Sequence, residues 1–309
     1  MEKRILVAVD GSIYSRKAIE YIVQMESVIK DLNYILLNIH PKISEFILED
    51  ARVGGKARSV LKEVTARNQE NSLRILNNAK SIMIKLGVDE NQIETVSRPT
   101  DRGTAKAILD YGRKSLCDAI VLGRRGISRL AEMFMGSVTN SVLEHTSVTP
   151  VWAVGGDFKS SKIMVAVDGS ESALRAMDHV IFMVGENPDV RITLFHVIPR
   201  FRDYCEIEFD DKGNILEEVI TQGDKRCIDD FYAHAQQKVK EAGLKKSQLD
   251  IKQVTSTINV GKSIVDEVKK GKFSTVVIGR RGADDSLFLG GISRFVLAKI
   301  PNRAVWLVP

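Results

Sequence analysis

The chain has 309 residues, of which 45 are Lys or Arg and 40 are Asp or Glu, giving a net charge of +5 and a pI near 9.0. Its content of 44% hydrophobic and 28% charged residues is ordinary for a globular protein. No apolar run approaches the ~20 residues of a membrane helix, and MEKR leads directly into a strand rather than a secretory leader. A cytoplasmic protein with no membrane partner is expected. Basic and acidic residues are interleaved along helical stretches and aromatics are only 6%, which argues against a nucleic-acid partner.

The octet ILVAVDGS at residues 5–12 is an apolar run that stops at an acid and a glycine. That is how a strand buried on both faces reads as it enters a turn. Ser12 stands where a helix N-cap belongs, and IYSRKAIEYIVQM follows with apolar residues three and four apart. In chain order, strands are expected at 4–9, 33–39, 92–97, 118–122 and 150–154, and helices at 13–30, 56–86, 103–115 and 137–146. Alternation of this kind implies a parallel sheet with helices on both faces, a doubly wound α/β domain.

The pattern then repeats: IMVAVDGS returns at 163–170 with ESALRAMDHVIFMV after it, DAIVLGRRG at 118–126 matches STVVIGRRG at 274–282, and PVWAVGG at 150–156 matches AVWLVP at 304–309. Two tandem domains follow, 1–156 and 161–309, joined near GGDFKSS. Copy two carries an apparent insertion at 200–231, in which FDDKGN reads as a hairpin turn. Cys117, Cys205 and Cys227 have unrelated spacings and read as structural thiols. His40, His145, His179, His196 and His234 form no pair at ligand spacing, so no metal site is expected.

Ligands of doubly wound sheets sit beyond the carboxyl ends of the strands, where the winding reverses. In copy one those turns hold Asp10-Gly11-Ser12 and GRRGISRLAEMFMGSVTNSVLEH. Gly123, Gly126 and Gly136 allow backbone amides to approach a phosphate, the start of the helix at Ser137 favours an anion, and Arg124 and Arg125 supply charge, with one of the two left to solvent. GKS at 261–263 fails as a Walker A loop because Ser256 stands where the earlier glycine is required, and Asp10-Gly11-Ser12 is no dinucleotide fingerprint.

The strand ending VAVDGS, the run G-x2-G-x9-G-S and the following VTNSVLEHTSVTPVW resemble the universal stress protein family, in tandem over nearly the whole chain. The resemblance implies two Rossmann-like (adenine nucleotide alpha hydrolase-like) domains, each with a five-stranded parallel sheet, and ATP, or ADP or AMP, bound in the first, with Mg2+ accompanying the phosphates. By position it sets Asp10 against the adenosine, with Ala8, Ile39 and Leu122 around base and sugar. Gly123, Arg125, Gly126, Gly136, Ser137, Val138 and Thr139 then surround ribose and phosphates, and Ser12 completes the set. Copy two offers Asp168, Val197, Gly279, Arg281, Gly282, Gly290 and Gly291, but only ADDSLFL separates Gly282 from Gly290, Gly291 replaces the serine, and Asp284 and Asp285 would repel phosphate. Weaker binding, or none, is expected there.

The reading that follows is a non-catalytic, ATP-binding stress-response or regulatory protein. The alternatives are a slow ATP hydrolase or phosphotransferase, which lacks an evident base, and an interaction scaffold with an idle pocket. The resemblance also implies that the two domains pair through PVWAV and AVWLVP, with Trp152 and Trp306 in or beside that contact or buried within their own domains. A homodimer of the whole chain is a further expectation.

Overall fold

The computed structural model describes residues 2–43, 55–124, 136–156, 160–199, 213–255, 259–280 and 289–309. The chain divides into two compact units that change over at Gly155 and Gly156.

The first unit runs β1 (Lys3–Ala8), α1 (Ile13–Gln24), β2 (Leu32–Pro41), α2 (Gly55–Lys85), β3 (Ile93–Thr100), α3 (Thr104–Lys114), β4 (Ala119–Gly123), α4 (Ser137–His145) and β5 (Val151–Val154). Its strands lie in the order β3-β2-β1-β4-β5, all parallel. The winding therefore reverses between β1 and β4. Ile5, Leu6 and Val7 on β1 and Ile120 and Val121 on β4 are fully buried, as central strands covered on both faces must be. The helix expected over 13–30 ends at Gln24 and tightens into a 3-10 turn at Met25–Ser27. Asp31, at φ 57°, then returns its carbonyl to the Lys3 amide at 2.8 Å.

The second unit repeats this plan with β6 (Ile163–Val167), α5 (Glu171–Val184), β7 (Ile192–Ile198), α6 (Gly213–Glu241), β8 (Leu249–Thr255), α7 (Val260–Lys270), β9 (Thr275–Gly279), α8 (Gly291–Lys299) and β10 (Ala304–Val308). Its strand order is β10-β9-β6-β7-β8, again all parallel.

The insertion expected at 200–231 is corrected by α6. Residues 200–212 lie outside those described, but Gly213 and Asn214, the end of the supposed hairpin turn, already belong to a helix that continues to Glu241. Ile228, Phe231, Tyr232, Ala235 and Val239 are buried at spacings of three, four, seven and eleven, the stripe of a core-facing helix. The element corresponds to α2 of the first unit, so the second copy follows the same plan.

GKS belongs to the first turn of α7, where the Asn259 side chain accepts from the Lys262 amide at 2.8 Å. The segment is a capped helix start. The Lys262 ammonium pairs with Asp266 at 3.0 Å.

Candidate functional site

The turn after β1 is built by its own three residues. Gly11 takes φ +77°, a conformation that costs glycine little. This turn lets the Asp10 carboxylate accept from the Ser12 amide at 2.9 Å, and the Ser12 hydroxyl then accepts from the Ser15 amide at 3.3 Å, capping α1 as expected. Burial would raise the Asp10 pKa, but hydrogen bonds from Ser12, through its hydroxyl and its amide, and from Ser15 outweigh it. The carboxyl sits below its ordinary range and is a charged, acceptor-only group at neutral pH.

On the facing side, β4 ends at Gly123 and α4 begins behind Gly136, with no side chain capping its first amides. The Thr139 hydroxyl donates to the Gly123 carbonyl at 3.0 Å and ties the helix start to the strand end. The free amides of that first turn and the helix dipole are a ready acceptor for an anion.

Between these two turns lies a cavity of about 200 Å³ lined by Ala8, Asp10, Ser12, Ile39, Leu122, Gly123, Gly136, Ser137, Val138 and Thr139. Those are all the described members of the set expected in copy one; Arg125 and Gly126 lie outside the described residues. Tyr14, Ser15, Leu37, Thr104 and Ile108 also line the cavity and were not anticipated. Leu37 was within reach, because it pairs with Ala8 across the sheet and lies two residues before Ile39. Thr104 and Ile108 arrive from the first turns of α3, which no local motif announces. A larger groove of about 600 Å³ runs between α1 and α2, but none of the residues from β4 or α4 lines it.

Two details of the expected site need correction. A Cβ on Gly123 would fall 2.1 Å from the Tyr14 carbonyl oxygen and 2.8 Å from the Ser15 amide nitrogen. This glycine is thus required for β4 to pack against the backbone of α1. Arg124 is only 1% exposed, so neither ligand-facing nor solvated describes it. Its amide extends the β4–β5 pairing to the Val154 carbonyl at 2.8 Å, and burial pulls its guanidinium down to about 9.

The second unit reproduces the frame. Gly169 has φ +78°, Asp168 accepts from the Ser170 amide at 3.1 Å, Ser170 caps α5, and the Ser293 hydroxyl donates to the Gly279 carbonyl at 2.8 Å. Gly279 again lies against the helix, its added Cβ meeting Ser172 at 2.1 Å. Val197 is the penultimate residue of β7, and Gly290 stands at the N-cap of α8, which begins at Gly291. Arg281, Gly282, Asp284 and Asp285 lie outside the described residues. At the Ser15, Thr104 and Ser137 positions the second unit has Ala173, Val260 and Gly291, none of which carries a hydroxyl.

The model of the Universal stress protein family matches residues 1–155 and again 159–309. The chain belongs to the universal stress protein family. It is 30% identical over 156 residues to "Universal stress protein YxiE" of Bacillus subtilis (strain 168), a match spanning 50% of this chain and 99% of that one. Among solved structures, a universal stress protein from Archaeoglobus fulgidus DSM 4304 aligns over 99% of this chain and 97% of its own, with TM-score 0.57 and 19% identity. A putative universal stress protein from Pseudomonas aeruginosa UCBPP-PA14 aligns over 99% and 93%, with TM-score 0.59 and 15% identity. At these identities the structures bear on the fold alone. As a tandem universal stress protein, the chain is supported as a stress-response protein by its family. No described helix is long and apolar enough to cross a membrane.

Proposed function

We propose that the first domain binds an adenine nucleotide, ATP foremost, in the cleft between the β1 and β4 turns, and that the protein acts in the stress response by binding rather than by catalysis. The observation that carries this reading is the convergence on one cavity of Asp10, an apolar wall of Ala8, Ile39 and Leu122, and the side-chain-uncapped start of α4. At about 200 Å³ the cavity is below the ~300–1,000 Å³ of drug-sized ligand sites. It suits the nucleoside part, with Asp10 accepting from sugar hydroxyls and the phosphates lying along the α4 amides. Magnesium would accompany the phosphates as their counter-ion.

Among the described lining residues Asp10 is the one carboxylate, and it already accepts hydrogen bonds from its own turn. Among the described residues, water activation therefore has no second group to share the proton. Equilibrium dialysis with labelled ATP tests the assignment. Ile39→Trp, which fills the cavity from a half-buried position, lowers affinity at least about tenfold, whereas Val197→Trp in the second domain leaves it unchanged; unchanged affinity in Ile39→Trp contradicts the site.

From the resemblance alone we also propose that the two domains pair through their last strands and that the whole chain forms a homodimer. The dimer is tested by sedimentation of the full chain, a monomer at all concentrations counting against it.

A further inference from the structure

The two domains differ at a buried polar cluster beneath the candidate clefts. In the first domain the Asn38 amide of β2 donates to the Val9 carbonyl at 2.6 Å, and Ser72 of α2 hydrogen-bonds Ser97 of β3 at 2.7 Å. All three side chains are neutral at any physiological pH; the histidine nearby, His40 of β2, meets the neutral Gln69 amide of α2 at 3.0 Å, whose oxygen also accepts from Ser97 at 3.4 Å, and so has no carboxylate partner there among the described residues. The strand register and the turn contacts of the long helices set His196, Asp224 and Gln253 in the same places in the second domain. There His196 Nδ1 lies 2.9 Å from the Val167 carbonyl and Nε2 lies 2.8 Å from Asp224 Oδ2, with the ring 2% exposed and the carboxylate 15%.

Both ring nitrogens thus face acceptors. A backbone carbonyl can only accept, so Nδ1 carries a proton; an ionised carboxylate can only accept, so Nε2 needs one as well. Only the imidazolium makes both bonds, and they are then charge-assisted. A neutral ring must present a lone pair to one of its two partners. We propose that His196 and Asp224 form a pH-sensitive clasp, specific to the second domain, that fastens α6 to the end of β6 and β7 while His196 is protonated and releases it on deprotonation.

The surroundings on every packed element are consistent with this. Just after β6, the charge that bears on the ring is Asp168. On α6 the titratable neighbours are Asp224 itself and Tyr232, whose hydroxyl accepts from Gln253 at 3.3 Å. On β8 the residue paired with His196 is the uncharged Gln253. Lys252 of β8 and Glu267 of α7 neutralise each other at 2.8 Å. Burial alone would lower the His196 pKa, but the hydrogen bonds to Asp224 and to the Val167 carbonyl, with the charges of Asp224 and Asp168, hold it above the ordinary histidine range. The clasp is therefore complete below the ordinary histidine pKa and opens as pH rises through the value in the folded protein. Its effect reaches the corresponding turn of the second domain, because Val167 precedes Asp168 and α6 packs Cys227 against Gly169, 3.2 Å from where a Cβ would stand.

Hydrogen exchange of the full chain, corrected for the intrinsic pH dependence, reads the clasp directly. Protection of the α6 amides around Asp224 falls about tenfold between pH 6 and pH 9, the loss of one charge-assisted hydrogen bond, while α1 shows no such fall. The double variant His196→Asn with Asp224→Ser, which replaces the pair by the first domain's Asn and Ser, removes the pH dependence. A flat profile in the wild type, or the same fall in the variant, overturns the proposal. Should the variant not fold, the His196 ring resonances of the wild-type chain decide: titration above the ordinary histidine value supports the clasp, and titration at or below it overturns it.

Discussion

Gly123 separates two roles that one residue type can play. A glycine beside a nucleotide cleft reads naturally as room for phosphate, but here the missing side chain makes room for the α1 backbone at Tyr14 and Ser15. Substitution at this position should therefore act on folding before it acts on binding. Gly123→Ala is expected to destabilise the protein by about 3 kcal/mol or more, because a Cβ at van der Waals-violating distance from backbone atoms cannot be relieved by a rotamer change. Urea unfolding measures it, and a midpoint equal to the wild type would refute the packing role. The clash was not visible in the sequence, since it depends on how closely a helix from the far N-terminal side of the domain, at Tyr14 and Ser15, returns to the strand. By contrast Gly11 was legible: an Asp-Gly-Ser turn needs a positive φ at its centre, and the observed +77° supplies it.

Among elements, the strands and helices of the first domain follow their sequence pattern to within a few residues, apart from the early end of α1 at Gln24, because apolar runs and capping serines are local signals. The α6 helix does not, since the turn residues of FDDKGN stand at its start and its long polar face hides the stripe of Ile228, Phe231, Tyr232 and Ala235. The candidate site shows the same division. Its residues from the ends of β1, β2 and β4 were readable by position, whereas Thr104 and Ile108 enter through the packing of α3 over the sheet. Helix α5 carries a further consequence. Its His179 is buried with its ring edge against Trp306, centroids 5.7 Å apart, and burial pulls its pKa down to about 3. The unfolded chain protonates this group near the ordinary value of 6.5 while the folded protein does not, so it favours unfolding as pH falls from about 6.5 toward 3. Thermal melts at pH 7 and pH 5 should show that His179→Phe loses less stability on acidification than the wild type; an equal loss would show that this ring does not report on acid stability.

For the whole molecule, two domains of one plan carry different chemistry at equivalent places. The first has hydroxyls at Ser15, Thr104 and Ser137 and a neutral cluster beneath its cleft; the second has Ala173, Val260 and Gly291 there, and the charged pair His196 and Asp224 beneath. On the proposed reading, a chain organised this way would bind nucleotide asymmetrically and turn it over little. Phosphate release from ATP by the purified protein should not exceed a slow background, and rapid, saturable release abolished by Asp10→Ala with binding intact would favour an enzyme instead. The asymmetry itself is tested most directly by titration calorimetry of ATP, with magnesium, into the nucleotide-stripped full chain. The account predicts one tight site per chain that Ile39→Trp eliminates; no binding, or two sites of equal affinity, would contradict it.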